Sequence, residues 1–325
     1  MEENNAVKPF AISKRVLLGV HIIIPVIAFL IMCDTIFWGG FLKQVLKVDS
    51  TNAAIYLLFL ELPHVIGSFI GYADSEYLRF YRTRLFIRLP LLLLATAALS
   101  FLYLDLAFGV YLVYTMYHSL KQQTGITSLL AGGTSRLHML WTWSAIVVAV
   151  LGNFYVLGSQ LTRGVPIFNT TLLLSFCAVI FCLASVAYIV SIRKRDIGLA
   201  YACATTVLLL SSYFSVIIGY FFFAILLIRI VHDTTAFIFY AVHDSNRNAL
   251  TPKNFFYFLL KPLHLPLLII TPLLGVVIAY YLRHIGVTYA QSALLVILLG
   301  LSHYYIEGFM WKRESLHRRE LRFVP

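Results

Sequence analysis

Acidic residues are scarce in this chain, and no polar stretch is long. Asp and Glu number 14 against 25 Lys and Arg in 325 residues, and charged residues make up only 12% of the total. The longest polar run, Val242–Lys253, is too short to fold alone. That excludes a separate soluble domain, so whatever the protein does is done by its apolar segments and their rims. Cysteine is confined to Cys33, Cys177, Cys182 and Cys203, each inside an apolar segment and without paired spacing. This argues against a thiolate metal site or a disulfide framework and for small buried side chains. Three motif classes are missing as well: a Gly-rich phosphate loop, a Gly-x-Ser-x-Gly elbow and a His-Glu-x-x-His zinc motif. Their absence weighs against an NTPase, a serine hydrolase and a zinc protease.

What is present is hydrophobic. Apolar residues are 60% of the chain, and the mean hydropathy of +0.85 exceeds what one water-soluble core can hide. The fold class expected is all-α, a polytopic transmembrane helical bundle forming one domain over 1–325. Apolar runs of spanning length cover 16–38, 51–72, 138–158, 166–191, 258–282 and 287–311, with two longer stretches at 84–119 and 197–230. Lys and Arg collect in Arg79–Arg88, Lys121–Arg136, Arg193–Arg195 and Lys312–Arg322. If all of these face the cytoplasm, both long stretches cross twice, turning near Asp105 and near Ser211–Tyr213. The expectation is then about ten spans, eight to ten, with both termini cytoplasmic. The net charge of +11 lies at span ends without interleaved aromatics, which suits orientation and anionic lipid rather than nucleic acid. Residues 1–14 read as a polar cytoplasmic tail and 312–325 as a basic one. Val16–Phe37 is too long for the apolar core of a cleaved signal and reads as a retained first span, favouring a bacterial inner membrane.

Against this background the ionisable residues inside apolar runs stand out, because such groups are costly in a bilayer unless paired or bound. Glu61 and His64 are three apart, and His303 and Glu307 four apart, so each pair shares one helix face. Ser68 continues the first face, and Gly67 with Gly71 marks a close helix approach. Glu-x-x-His on a bundle helix is also the unit from which di-iron carboxylate sites are assembled. His118 shares a polar stripe with Tyr111, Tyr114, Thr115 and Gln122. A His-Asp dipeptide occurs at His232–Asp233 and again at His243–Asp244. On one helix the two would be about 16 Å apart and unable to share an ion, so a bend near Thr234–Thr235, within an interfacial or re-entrant segment 232–254, is one expectation. His21, His138, His264 and His284 lie near span ends and read as structural, and His317, beside Arg318 and Arg319, as solvated. Pro262, Pro266 and Pro272 predict a kinked or late-starting helix.

Histidines gathered at the ends of membrane spans, His64, His118, His232, His243 and His303, give the chain a layout that resembles the membrane non-haem iron oxygenases, namely fatty-acid desaturases and hydroxylases and the Brp/Blh-type carotene dioxygenases. Their His-x-x-x-His and His-x-x-His-His boxes are absent here. The resemblance implies a metal-dependent oxidoreductase acting on a membrane lipid or other apolar substrate, supplied by an electron donor. In this reading those five histidines are metal ligands and Glu61, Glu307 and Asp233 are the catalytic carboxylates. Mixed imidazole and carboxylate ligands suit iron, mono- or dinuclear, with zinc, copper, manganese or haem as alternatives. Rival readings of the same residues are a proton-coupled transporter, a haem-binding electron-transfer protein and a structural assembly factor.

Overall fold

A computed structural model describes residues 9–48, 61–161, 170–284 and 289–324. The elements in chain order are β1 (Ile12–Ser13), α1 (Lys14–Ile36), α2 (Phe41–Val45), α3 (Leu62–Ile70), α4 (Ser75–Phe80), α5 (Arg84–Leu102), α6 (Leu104–Ala131), α7 (Arg136–Leu161), α8 (Thr170–Ser191), α9 (Asp196–Ile217), α10 (Phe221–Asn248), α11 (Phe255–Leu260), α12 (Leu267–His284), α13 (Tyr289–Met310), α14 (Leu316–Arg319) and β2 (Phe323–Val324). β1 and β2 pair in parallel, joining the two ends of the chain.

Among the described residues, six helices are long and apolar enough to cross a membrane. The number is seven if α11 and α12 form one broken span, and Leu294–Met310 adds a shorter apolar helix. The chain is therefore a helical membrane protein. The expected second span, 51–72, lies partly outside the described residues, which hold only its second half as α3. The stretch 84–119 divides at Tyr103, close to the expected turn at Asp105. The other long stretch also divides, but at Ile218–Tyr220 instead of Ser211–Tyr213. Gly219 supplies the turn with φ +79°. The helix runs on through these serines to Ile217, with Ser215 donating to Ser211 O at 2.8 Å and Ser212 donating across to Ala224 O at 2.7 Å. The proline-rich region is bent as expected: Phe255–Leu263 meets Leu267–Leu282 at 107°.

α10 corrects one expectation. It runs unbroken from Phe221 to Asn248, so neither a bend at Thr234–Thr235 nor a re-entrant segment starting at residue 232 is present. Phe222 to Val231 and Ala236 to Tyr240 keep the segment apolar enough to continue the span through the His-Asp pairs.

Packing divides the chain into two compact units, a division the sequence does not signal. One contains 1–14, 55–108 and 233–325; the other contains 15–54 and 109–232, with the boundary inside α10. In the first unit α3 lies against α12 so closely that a Cβ on Gly275 would stand 2.6 Å from Pro63 O. A Cβ on Gly67 would meet the Tyr240 ring at 3.0 Å, which is the close approach expected of Gly67. An aromatic core of Tyr72, Tyr77, Tyr81, Tyr240 and Phe309 fills one end. In the second unit α7 packs on α8 and α9 around Trp141, Phe181, Tyr188 and Leu209. Lipid-facing side chains explain surfaces such as Phe101, 92% exposed.

Candidate metal centre and its surroundings

In the first unit, three helices bring buried ionisable groups together. α3 carries His64 and Ser68 one turn apart, α13 carries His303 and Glu307 one turn apart, and α10 carries Asp233 and Tyr240 two turns apart on one face. His64, His303 and Asp233 are fully buried, and Glu307 is nearly so. The imidazoles of His64 and His303 meet edge to face, with ring centroids 4.4 Å apart.

Each ring has an oxygen close to Nδ1. Asp233 Oδ1 stands 2.8 Å from His64 Nδ1, and Ser68 Oγ stands 2.9 Å from His303 Nδ1. Ser68 Oγ itself donates to Val65 O, so it accepts at His303 and leaves Nδ1 carrying the proton. At His303 this selects the tautomer and leaves Nε2 for a ligand, the arrangement found behind metal-bound histidine. Glu307 is held likewise. Its Oε1 accepts from the Tyr240 hydroxyl and from Trp311 Nε1, the latter at 2.9 Å, and its Oε2 lies 3.9 Å from His303 Nε2. A ring nitrogen of His64 and one of His303 lie within 4.8 Å of each other. Two bonds of about 2.1 Å to one ion place ligand atoms roughly 3–4 Å apart, so the two rings need only small movements to close on a cation. Two imidazoles and a carboxylate, each steadied from behind, are a chemically suitable donor set for a transition metal.

The other sequence candidates fall elsewhere. Glu61, immediately before α3, is buried. His243 is not available as a ligand: its Nδ1 meets Asp244 Oδ1 at 2.7 Å and its Nε2 meets Tyr77 Oη at 3.0 Å, so both nitrogens are taken by protein. Asp244 Oδ2 accepts from Thr271, whose hydroxyl also meets Tyr257 Oη at 3.1 Å. His317 is fully buried, contrary to its expected solvation, and stacks on His243 with centroids 4.7 Å apart and planes 23° apart. The two His-Asp pairs therefore serve different clusters, in keeping with their separation along one continuous helix. In the second unit His118 and His232 meet edge to face at 4.9 Å, and Gln122 Oε1 stands 2.8 Å from His232 Nδ1.

Among the structural histidines, His138 Nε2 bonds to Thr124 O at 2.9 Å and His21 packs on Tyr201 at 4.9 Å. His264 terminates the turn before α12 with φ +50°. Sequence reasoning missed Tyr77, Asp74 and Arg247. Asp74 begins Asp-Ser-Glu-Tyr, a helix-start signal, and it does cap α4 by accepting from Glu76 N at 2.8 Å. Arg247 Nε donates to its other oxygen at 2.8 Å.

No family model, curated protein or solved structure matches this chain.

Proposed function

We propose that this protein is a membrane metal-dependent oxidoreductase in which His64, His303 and Glu307 hold the ion. The observation that supports this reading most is the oxygen held against Nδ1 of both imidazoles beside a carboxylate whose other oxygen is fixed by Tyr240 and Trp311. Two imidazoles with one carboxylate favour iron among the common metals, and such an ion supplies one-electron redox chemistry with open coordination positions. The chain's own residues perform the supporting work. Asp233 and Ser68 orient the rings, while Tyr240 and Trp311, both donating to Oε1, fix the carboxylate and favour its ionised form. The apolar helices around them exclude water. A substrate that enters from the bilayer, a lipid or another apolar molecule, fits a site lacking any separate polar domain, and reductant must come from an electron donor.

The test is metal content and optical absorption of protein purified in mild detergent. Stoichiometric iron that is lost in His303→Ala supports the proposal. A Soret band transfers it to haem, and a folded, colourless, metal-free protein transfers it to proton-coupled transport by the same Glu and His residues. Alanine variants of His118 and His232 in the same assay decide whether those histidines add to the ligand set.

A further inference from the structure

The C-terminal tail is strapped across the end of the first unit. β2 pairs with β1, with Ile12 N donating to Arg322 O at 2.8 Å. Asn246, on α10, holds both chain ends, donating to Phe10 O at 2.9 Å and to Glu320 O at 2.8 Å. Between these ties α14 points Arg319 outward and drives His317 into the interior. Ser315 caps the helix by accepting from Arg318 N at 3.1 Å.

Among the described residues, the pocket receiving His317 contains no anionic partner for its ring. From α4, Tyr77 lies at 4.0 Å between centroids, and just beyond it Tyr81 lies at 5.6 Å with its hydroxyl 3.4 Å from Nδ1. Tyr72 lies at 4.8 Å, and Nε2 is turned toward the Gly71 backbone. From α10, His243 covers one face, and Arg247 adds a fixed positive charge. At the end of α13, Trp311 closes the edge at 6.2 Å. The nearby carboxylates are already engaged: Asp244 by His243, and Asp74, Glu76 and Glu320 by Arg247.

The geometry points to a pH-sensitive latch, in which neutral His317 seats the tail and its protonation releases it. A proton on this ring would be buried against His243 and near Arg247 with no carboxylate to pair it. Burial first, then those two neighbours, hold its pKa well below the ordinary imidazole value of 6.5. Because the docked pKa is depressed, docking is at full strength above 6.5 and weakens as pH falls from 6.5 toward the docked value. The released tail would free Trp311 from its edge-to-face contact with His317, and Trp311 is one of the two donors on Glu307 Oε1. The latch itself stands whether or not that carboxylate binds metal.

Hydrogen–deuterium exchange of the full-length protein in detergent, corrected for intrinsic rates, tests this. Between pH 7.5 and 5.5 the amides of Ile12 and residues 316–324 should exchange about tenfold faster, the factor for one proton with an undocked pKa near 6.5. His317→Phe retains an aromatic ring that cannot titrate, and its tail should stay protected at both pH values. Unchanged wild-type protection overturns the latch, and so does equal opening in His317→Phe, which would assign the effect to His243 or the carboxylates. If His317→Phe does not seat its tail at pH 7.5, His317→Gln serves as the second non-titrating variant under the same criterion.

Discussion

At the scale of single residues, cost follows from burial without water. Tyr240 is nearly fully buried, and its hydroxyl donates to Glu307 Oε1 together with Trp311. Removing one donor from a buried carboxylate costs about 1–3 kcal/mol of hydrogen bonding. If the proposed centre binds metal, Tyr240→Phe should loosen Glu307 and lower that affinity by roughly 10–100-fold, the usual effect of losing a ligand's supporting partner. Competition with a chelator, read by metal analysis, measures it; unchanged affinity would remove Glu307 from the ligand set. Asn254 is a second buried residue with two tasks. Its Oδ1 accepts from Phe256 N at 2.9 Å to cap α11, and its Nδ2 donates to Ile70 O at 2.7 Å. Asn254→Ala should destabilise the fold by about 1–3 kcal/mol, seen as a lower unfolding midpoint in detergent.

At the scale of elements, the site depends on how near α3 lies to α12 and α10. Pro63 leaves its carbonyl against Gly275, where a Cβ has no space, and the obstacle is backbone that cannot swing aside. Gly275→Val should push α3 outward, cost about 1–3 kcal/mol through overpacking, and disturb His64, which sits one residue from that contact. Thermal unfolding together with metal content would show both effects; a stable variant with intact metal would mean that α3 position does not matter to the centre. Spacing alone made part of this legible. His303 with Glu307, Gly67 on a close-approach face and the proline bend before α12 are local patterns that helix geometry enforces. The turn at Gly219 was harder to read: charge placement and span length put it near Ser211–Tyr213, where Ser212 instead bonds across to Ala224 O, a contact made only by packing.

At the scale of the whole molecule, the pairing of β1 with β2 sets a topological condition. Two strands that hydrogen-bond directly should lie on one side of the membrane, so the pairing predicts an even number of crossings between them. Epitope tags at residue 1 and residue 325 should be protected or exposed together in sealed vesicles of one orientation, and opposite accessibility would break the strand pair. An even count agrees with the basic segments being gathered on one face.

The sequence by itself determined that this protein belongs in a bilayer, that its helices are long and apolar, and which few ionisable side chains are too deep to be ordinary. Those properties follow from composition and from periodicity along one helix, which are local. Only the tertiary structure decided which of those side chains meet: that His64 lies against His303, that His243 spends both nitrogens on Asp244 and Tyr77, and that His317 is buried although Arg318 and Arg319 follow it. Those meetings are made between helices far apart in the chain, where packing rather than spacing selects the partner.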